Sequence, residues 1–187
     1  MVLMLSMPPA PTIMAKPIMV ALAVIGLFAL GFWMTGLTYY DDWYRRGPDL
    51  HKSIGILLFL VMVARVIWRL VNPTPEHEPS VSLLARRIAH GVHMLLYVLL
   101  FALMISGYLI STADGSSIDV FSLFSVPATI SGIEGQEDIA GEVHFVLAVA
   151  LIAIAALHML AALKHHFIDG DTTLKRMLGF GAGSGRA

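Results

Sequence analysis

The chain has 187 residues, of which 57% are hydrophobic and 13% charged, with a formal net charge of -1, a balance that belongs in a membrane rather than to a soluble domain. The near-neutral charge supplies no concentrated basic patch, so nothing argues for a nucleic-acid partner. There is no cysteine, which excludes disulfides, cysteine-held iron-sulfur clusters, thiolate zinc and thioether attachment of c-type haem, and leaves His, Met and carboxylates for any metal or redox chemistry.

Residues 1–16, containing PPAP, are predicted to form a mobile N-terminal segment. Four stretches then reach the roughly 20 apolar residues that a membrane-spanning helix needs: residues 18–37, 54–71, 92–110 and 143–163. The first is too long for the apolar part of a signal peptide and no small-residue cleavage site follows it, so it is expected to be retained. His77, in the Pro-rich connection NPTPEHEPS, is expected to be solvated. In the long connection 111–142, which has acids but no Lys or Arg, ADGSS marks a turn and DVFSLF is predicted as a short interfacial helix. Residues 178–187, rich in Gly, are expected to form a flexible tail. Residues 17–177 are therefore expected to make one domain, an all-α integral membrane four-helix bundle. Lys16, Arg65, Arg69, Arg86, Arg87, Lys164, Lys175, Arg176 and Arg186 fall on one side, against Arg45, Arg46 and Lys52 on the other. By the positive-inside rule both termini are cytoplasmic.

The fourth span carries His144 and His158 among Ala, Val, Leu, Ile and Met. Fourteen residues return to within about 40° of the starting direction and rise roughly 21 Å, so both imidazoles share one face at opposite depths. An ionisable group inside a span is costly and points to function. His144 is flanked on its face by Ala140, Gly141 and Ala148, and His158 by Ala155, Ala161 and Ala162, a clearance that suits a flat macrocycle. The alternative is hydrogen bonding of both histidines to neighbouring helices. His51, at the outer end of the second span, matches His144 in depth and lies between Gly47 and Gly55; the two are predicted to be axial ligands of one haem b. His93 matches His158 in depth, but Leu96 and Tyr97 crowd its surface, so hydrogen bonding, including to a haem propionate, is preferred over ligation. His165 and His166 are expected to snorkel at the interface. Arg65, Arg69, Arg86 and Arg87 are placed either to hold propionates or simply to fix topology.

The stretches FALGFWM, YYDDWYRRGPDLHKSIGILL, RVIWRL, RRIAHGVHMLLYVLL, ISGYLISTADG, VPAT, GEVHF and LHMLAALKHHFIDGDTTLKRM resemble the prokaryotic cytochrome b561 family, collinearly from residue 28 to residue 177. The resemblance implies bis-histidine b haems in a helical bundle of the bacterial inner membrane, electron exchange with ubiquinone, and either superoxide oxidation or electron supply to a periplasmic protein. It assigns one haem to His51 and His144. For the other it pairs His158 with a histidine near the start of the first helix, a position that falls here at Pro17; the sequence contains no histidine before His51. Three arrangements then follow for that site: no haem, a five-coordinate haem on His158, or a substitute ligand, His93 or Met19.

No Ser/His/Asp or paired-carboxylate pattern is present, consistent with electron transfer as the only chemistry. Arg45, Arg46 and Lys52 are offset by Asp41, Asp42 and Asp49, which weakens any steering of an anion toward the outer site. Besides a quinone-linked haem oxidoreductase, the sequence allows a non-catalytic membrane anchor and electron conduit for a peripheral partner on the 111–142 connection. A haem-free transporter or metal-binding bundle fits less well with the clearance beside the histidines.

Overall fold

The computed structural model describes residues 17–72, 83–168 and 170. They form four helices, α1 (Pro17–Met34), α2 (Trp43–Val71), α3 (Leu83–Ser111) and α4 (Gln136–Phe167), with a two-stranded hairpin, β1 (Ile118–Val120) and β2 (Phe124–Val126), between α3 and α4. The fold is all-α apart from that hairpin. The expected segments 1–16 and 178–187, and His77 in its loop, lie outside the described residues. Helices α2, α3 from Arg86, and α4 to Lys164 are each long and apolar enough to cross a membrane, while α1 is apolar throughout but shorter within the described residues.

The helices begin earlier than the apolar windows do. α2 starts at Trp43 rather than at 54, α3 at Leu83 rather than at 92, and α4 at Gln136 rather than at 143. Hydropathy marks where a helix enters hydrocarbon, not where its hydrogen bonding starts, and the extra turns carry the Arg, Lys, Asp and Glu suited to the headgroup layer. Pro48 is tolerated in α2 because it falls near the N-terminal end, where few intrahelical bonds are lost. Between α1 and α2, the Thr38 backbone N–H and hydroxyl both donate to Asp41 Oδ2, at 2.7 Å each, closing the turn that leads into α2. These two bonds hold the Asp41 carboxyl below its usual range.

α1 packs along α2, and α3 along α4. Between these two helical pairs, Leu58 and Met62 of α2, Leu100 of α3 and Leu151 of α4 form the buried mid-membrane core. The registers are simple. Leu58 is seven residues after His51, Leu100 seven after His93, and Leu151 halfway between His144 and His158. Seven residues rise roughly 10 Å, so this layer separates an outer histidine level from an inner one.

DVFSLF is not an interfacial helix. Asp119 and Val120 belong to β1 and Phe124 opens β2, with Ile118 opposite Val126 and Val120 opposite Phe124. The turn between them is closed by the Leu123 N–H donating to the Val120 carbonyl at 2.9 Å. Ile118 and Val120 are 2% and 0% exposed because β1 packs on α2. The buried Ser53 hydroxyl ties the two together: it donates to the Asp119 carbonyl at 3.3 Å and accepts from the Phe121 N–H at 3.2 Å. Burial of alternate residues on α2 thus decides for strand over helix, and covers the outer end of the bundle two residues from His51.

The turn stores strain. Phe121 and Ser122 have φ of 49° and 57°, a left-handed conformation that costs a non-glycine residue about 1–2 kcal/mol. Part of that cost returns on Ser122→Gly, less glycine's extra loss of chain entropy. The expected result is a gain of up to about 1 kcal/mol, read as a higher midpoint of thermal unfolding in detergent.

Candidate functional site

His51 on α2 and His144 on α4 face one another with ring centroids 6.3 Å apart and planes at 69°. They border an apolar cavity of about 800 Å³ lined by all four helices. A metal bound by two imidazoles on opposite sides, at about 2 Å per bond, separates the ring centres by roughly 6 Å. Among the described residues no group of three or more His, Cys, Asp or Glu forms a metal cluster. Two opposed imidazoles supply only two donors, so the remaining coordination positions suit a macrocycle that brings its own nitrogens.

The tautomer of His144 is set by its surroundings. Nδ1 lies 3.0 Å from the Leu103 carbonyl, which can only accept, so Nδ1 carries the hydrogen and donates. Ser106 Oγ, buried beside it, is 3.1 Å from the same nitrogen and donates its own hydrogen to Leu103 O at 2.8 Å. Nε2 is left with its lone pair, as a metal-binding histidine requires. The buried Nδ1 of His51 has no hydrogen-bond partner among the described residues. Such a nitrogen is costly without a partner. The opposed rings, the free lone pair of His144 Nε2 and the apolar cavity they border fit a haem.

Glycines set the ring positions. A Cβ on Gly31 of α1 would stand 3.1 Å from His51 Cε1, and one on Gly107 of α3 would stand 3.0 Å from His144 Cε1. Each imidazole lies so close to a neighbouring backbone that a side chain there would push it away. Gly55 and Gly141 line the cavity with open space where a Cβ would project, and Ala148 lines it as well. Gly47 does not share in this clearance: it is buried against Met34, Leu37 and Trp33. Ala140, too, is packed rather than open, at 7% exposure. Gly31 and Gly107 escaped the sequence reading, although both sit inside apolar helical stretches where a glycine signals close approach.

At the inner level the structure brings His93 of α3 against His158 of α4, with ring centroids 4.8 Å apart and planes at 75°. His158 Nε2 is buried without a hydrogen bond. Tyr97, expected to crowd His93, is drawn toward α2 instead: Arg65 Nε donates to its hydroxyl at 2.9 Å, and the Arg69 guanidinium lies 6.0 Å from its ring centre. Arg86 and Arg87 lie nearer the start of α3, Arg87 exposed. His90 is exposed on α3 and His166 half-buried near the end of α4; the side chain of His165 lies outside the described residues.

The sequence of the prokaryotic cytochrome b561 family matches residues 18–180. The chain is 55% identical over 159 residues to cytochrome b561 homolog 2 of Escherichia coli, covering 85% of each chain. It is 34% identical over 139 residues to the probable superoxide oxidase CybB of Yersinia pestis, covering 74% of this chain and 77% of that one. Cytochrome b561 homolog 1 of Escherichia coli is 26% identical over 143 residues, covering 73% and 81%. Matches of this extent show that the chain belongs to the prokaryotic cytochrome b561 family and is a multi-pass membrane protein of b-type haem.

Proposed function

We propose that His51 and His144 are the axial ligands of a low-spin haem b in the outer cavity, and that the chain exchanges single electrons there with the ubiquinone pool of the bacterial inner membrane. The observation that carries this reading is the pair of imidazoles 6.3 Å apart across an apolar cavity, one of them fixed by its Nδ1–H bond to Leu103. When bound, haem supplies an Fe(III)/Fe(II) couple. The protein contributes position and environment. His144 is held in one tautomer, the glycines at 31 and 107 let both rings approach, and Leu58, Leu100 and Leu151 close the cavity floor with hydrocarbon, conditions that set a haem's potential. With both termini cytoplasmic, this site faces the periplasm.

Full reduction of a quinone takes two electrons and two protons, so it consumes the single electrons of two reduced haems. Anaerobic stopped-flow mixing of the purified, reduced protein with a short-chain ubiquinone is expected to show haem oxidation without any added partner. The Yersinia relative's name supports superoxide as an electron donor, but Lys52 at the cavity rim is paired with Asp49 at 3.0 Å. Asp114, also at the rim, is held below its usual pKa by the Ser116 N–H and hydroxyl. Steering of an anion by this rim is weak.

A second reading, an anchor and conduit for a periplasmic protein, is favoured by exposed apolar side chains on the α3–α4 connection, Leu123 at 81% and Ile133 at 60%. That reading predicts no oxidation by any quinone and rapid exchange through a co-purifying protein.

A further inference from the structure

We infer that this chain carries a single haem, at the His51–His144 level, and that His93 and His158 at the inner level pair directly with each other and hold no macrocycle. The inference rests on the reading of the outer site given above. It starts from the different spacing of the two pairs. Opposed imidazoles on one iron require roughly 6 Å between ring centres; the outer pair has 6.3 Å and the inner pair 4.8 Å. The inner rings already touch edge to face.

Three further observations agree. The outer cavity is lined by Leu58, Leu100 and Leu151 and by neither inner histidine. Beside His158, Ala162 is 3% exposed and therefore marks close packing on that flank, while Ala161 is exposed. From α2, Arg65 and Arg69 reach Tyr97, one turn from His93.

Among the described side chains, no other imidazole takes the opposing position. The sequence has no histidine before His51, so α1 offers none. His90 is on the same helix as His93, roughly one turn nearer its start. His166 follows His158 by eight residues on α4, roughly 12 Å along the axis. The unpartnered Nε2 of His158 has a nearer solution. A ring nitrogen lies about 1 Å from its ring centre, so rotation of two rings 4.8 Å apart brings N–H to N within the usual hydrogen-bond range of about 3 Å. Each imidazole can donate with one nitrogen and accept with the other.

A one-haem chain stores one electron, and that electron must enter and leave at the outer level, because His144 and His158 are separated by roughly 21 Å along α4. The test is haem stoichiometry on the full-length protein, expressed with a haem precursor in excess. Pyridine haemochromogen absorbance is compared with chain concentration from amino-acid analysis, alongside electron paramagnetic resonance and anaerobic reductive titration. The expected result is one haem and one electron per chain, a ferric spectrum that is low-spin only, and full haem content retained in His93→Ala and His158→Ala but lost in His51→Ala. Two haems per chain would overturn the inference while leaving the outer-site reading intact. So would a high-spin ferric signal that disappears in His158→Ala. A protein that binds no haem at all would overturn both.

Discussion

Alanine in place of His51 or His144 is expected to abolish the reduced-state absorption band of the protein's low-spin haem, each substitution by itself. Loss of a group that merely orients a metal ligand costs about 10–100-fold in affinity, and loss of the ligand itself removes the bond. The two variants should fail for different local reasons. His51→Ala opens the space next to Gly31, whereas His144→Ala also leaves the Leu103 carbonyl and the Ser106 hydroxyl without their imidazole partner. His90→Ala, at an exposed position on α3, serves as the control and should keep the band. Full band intensity in both single variants would refute the assignment. A band that persists in one variant but shifts to high spin would show that the remaining histidine holds the iron alone.

The outer pair was legible because two independent signals agree in the sequence: a shared depth, counted along each helix, and small residues beside each histidine. Gly55, Gly141 and Ala148 keep that meaning in the folded protein, since they line the cavity. Gly47 and Ala140 lose it, because the same small side chain that clears a ligand surface also allows close helix packing, and only the neighbouring helix decides which applies. Gly31 and Gly107 were invisible for the complementary reason. Their effect falls on imidazoles of other helices, α2 and α4, which no spacing along α1 or α3 reports.

The hairpin was hidden by its turn chemistry. Residues with positive φ in a tight turn are ordinarily Gly, Asn or Asp, and here they are Phe121 and Ser122. The segment therefore carries apolar side chains without the punctuation that announces a reversal. At the inner level, the placement of Tyr97 was the missing fact. Its bond to Arg65 is a contact between α2 and α3, and with Tyr97 engaged there, His93 meets His158.

The close approach at Gly107 leads to the second large effect. A Cβ at that position would stand 3.0 Å from Cε1 and 3.2 Å from Nδ1 of His144, so close that the imidazole would have to give way by a few tenths of an ångström. The imidazole cannot simply retreat, because its Nδ1–H is committed to the Leu103 carbonyl at 3.0 Å, on the same helix as the glycine. In Gly107→Val the added branches compel either that bond to break or the ring to tilt away from His51, and misplacement of a positioned group by about 1 Å can cost 100-fold. Overpacking in a well-filled core costs about 1–3 kcal/mol, which corresponds to roughly 5–150-fold in haem affinity if the strain falls on the haem-bound geometry. Gly107→Ala should show the smaller end of this range and Gly107→Val the larger, both as reduced haem per chain and as a displaced low-spin signal in electron paramagnetic resonance. Gly26, also in a membrane helix, has nothing within 4 Å of a built Cβ, so Gly26→Val should retain full haem content. Equal losses at positions 26 and 107 would mean that any β-branched residue disturbs these helices, and that the contact with His144 has no special part in holding the ligand.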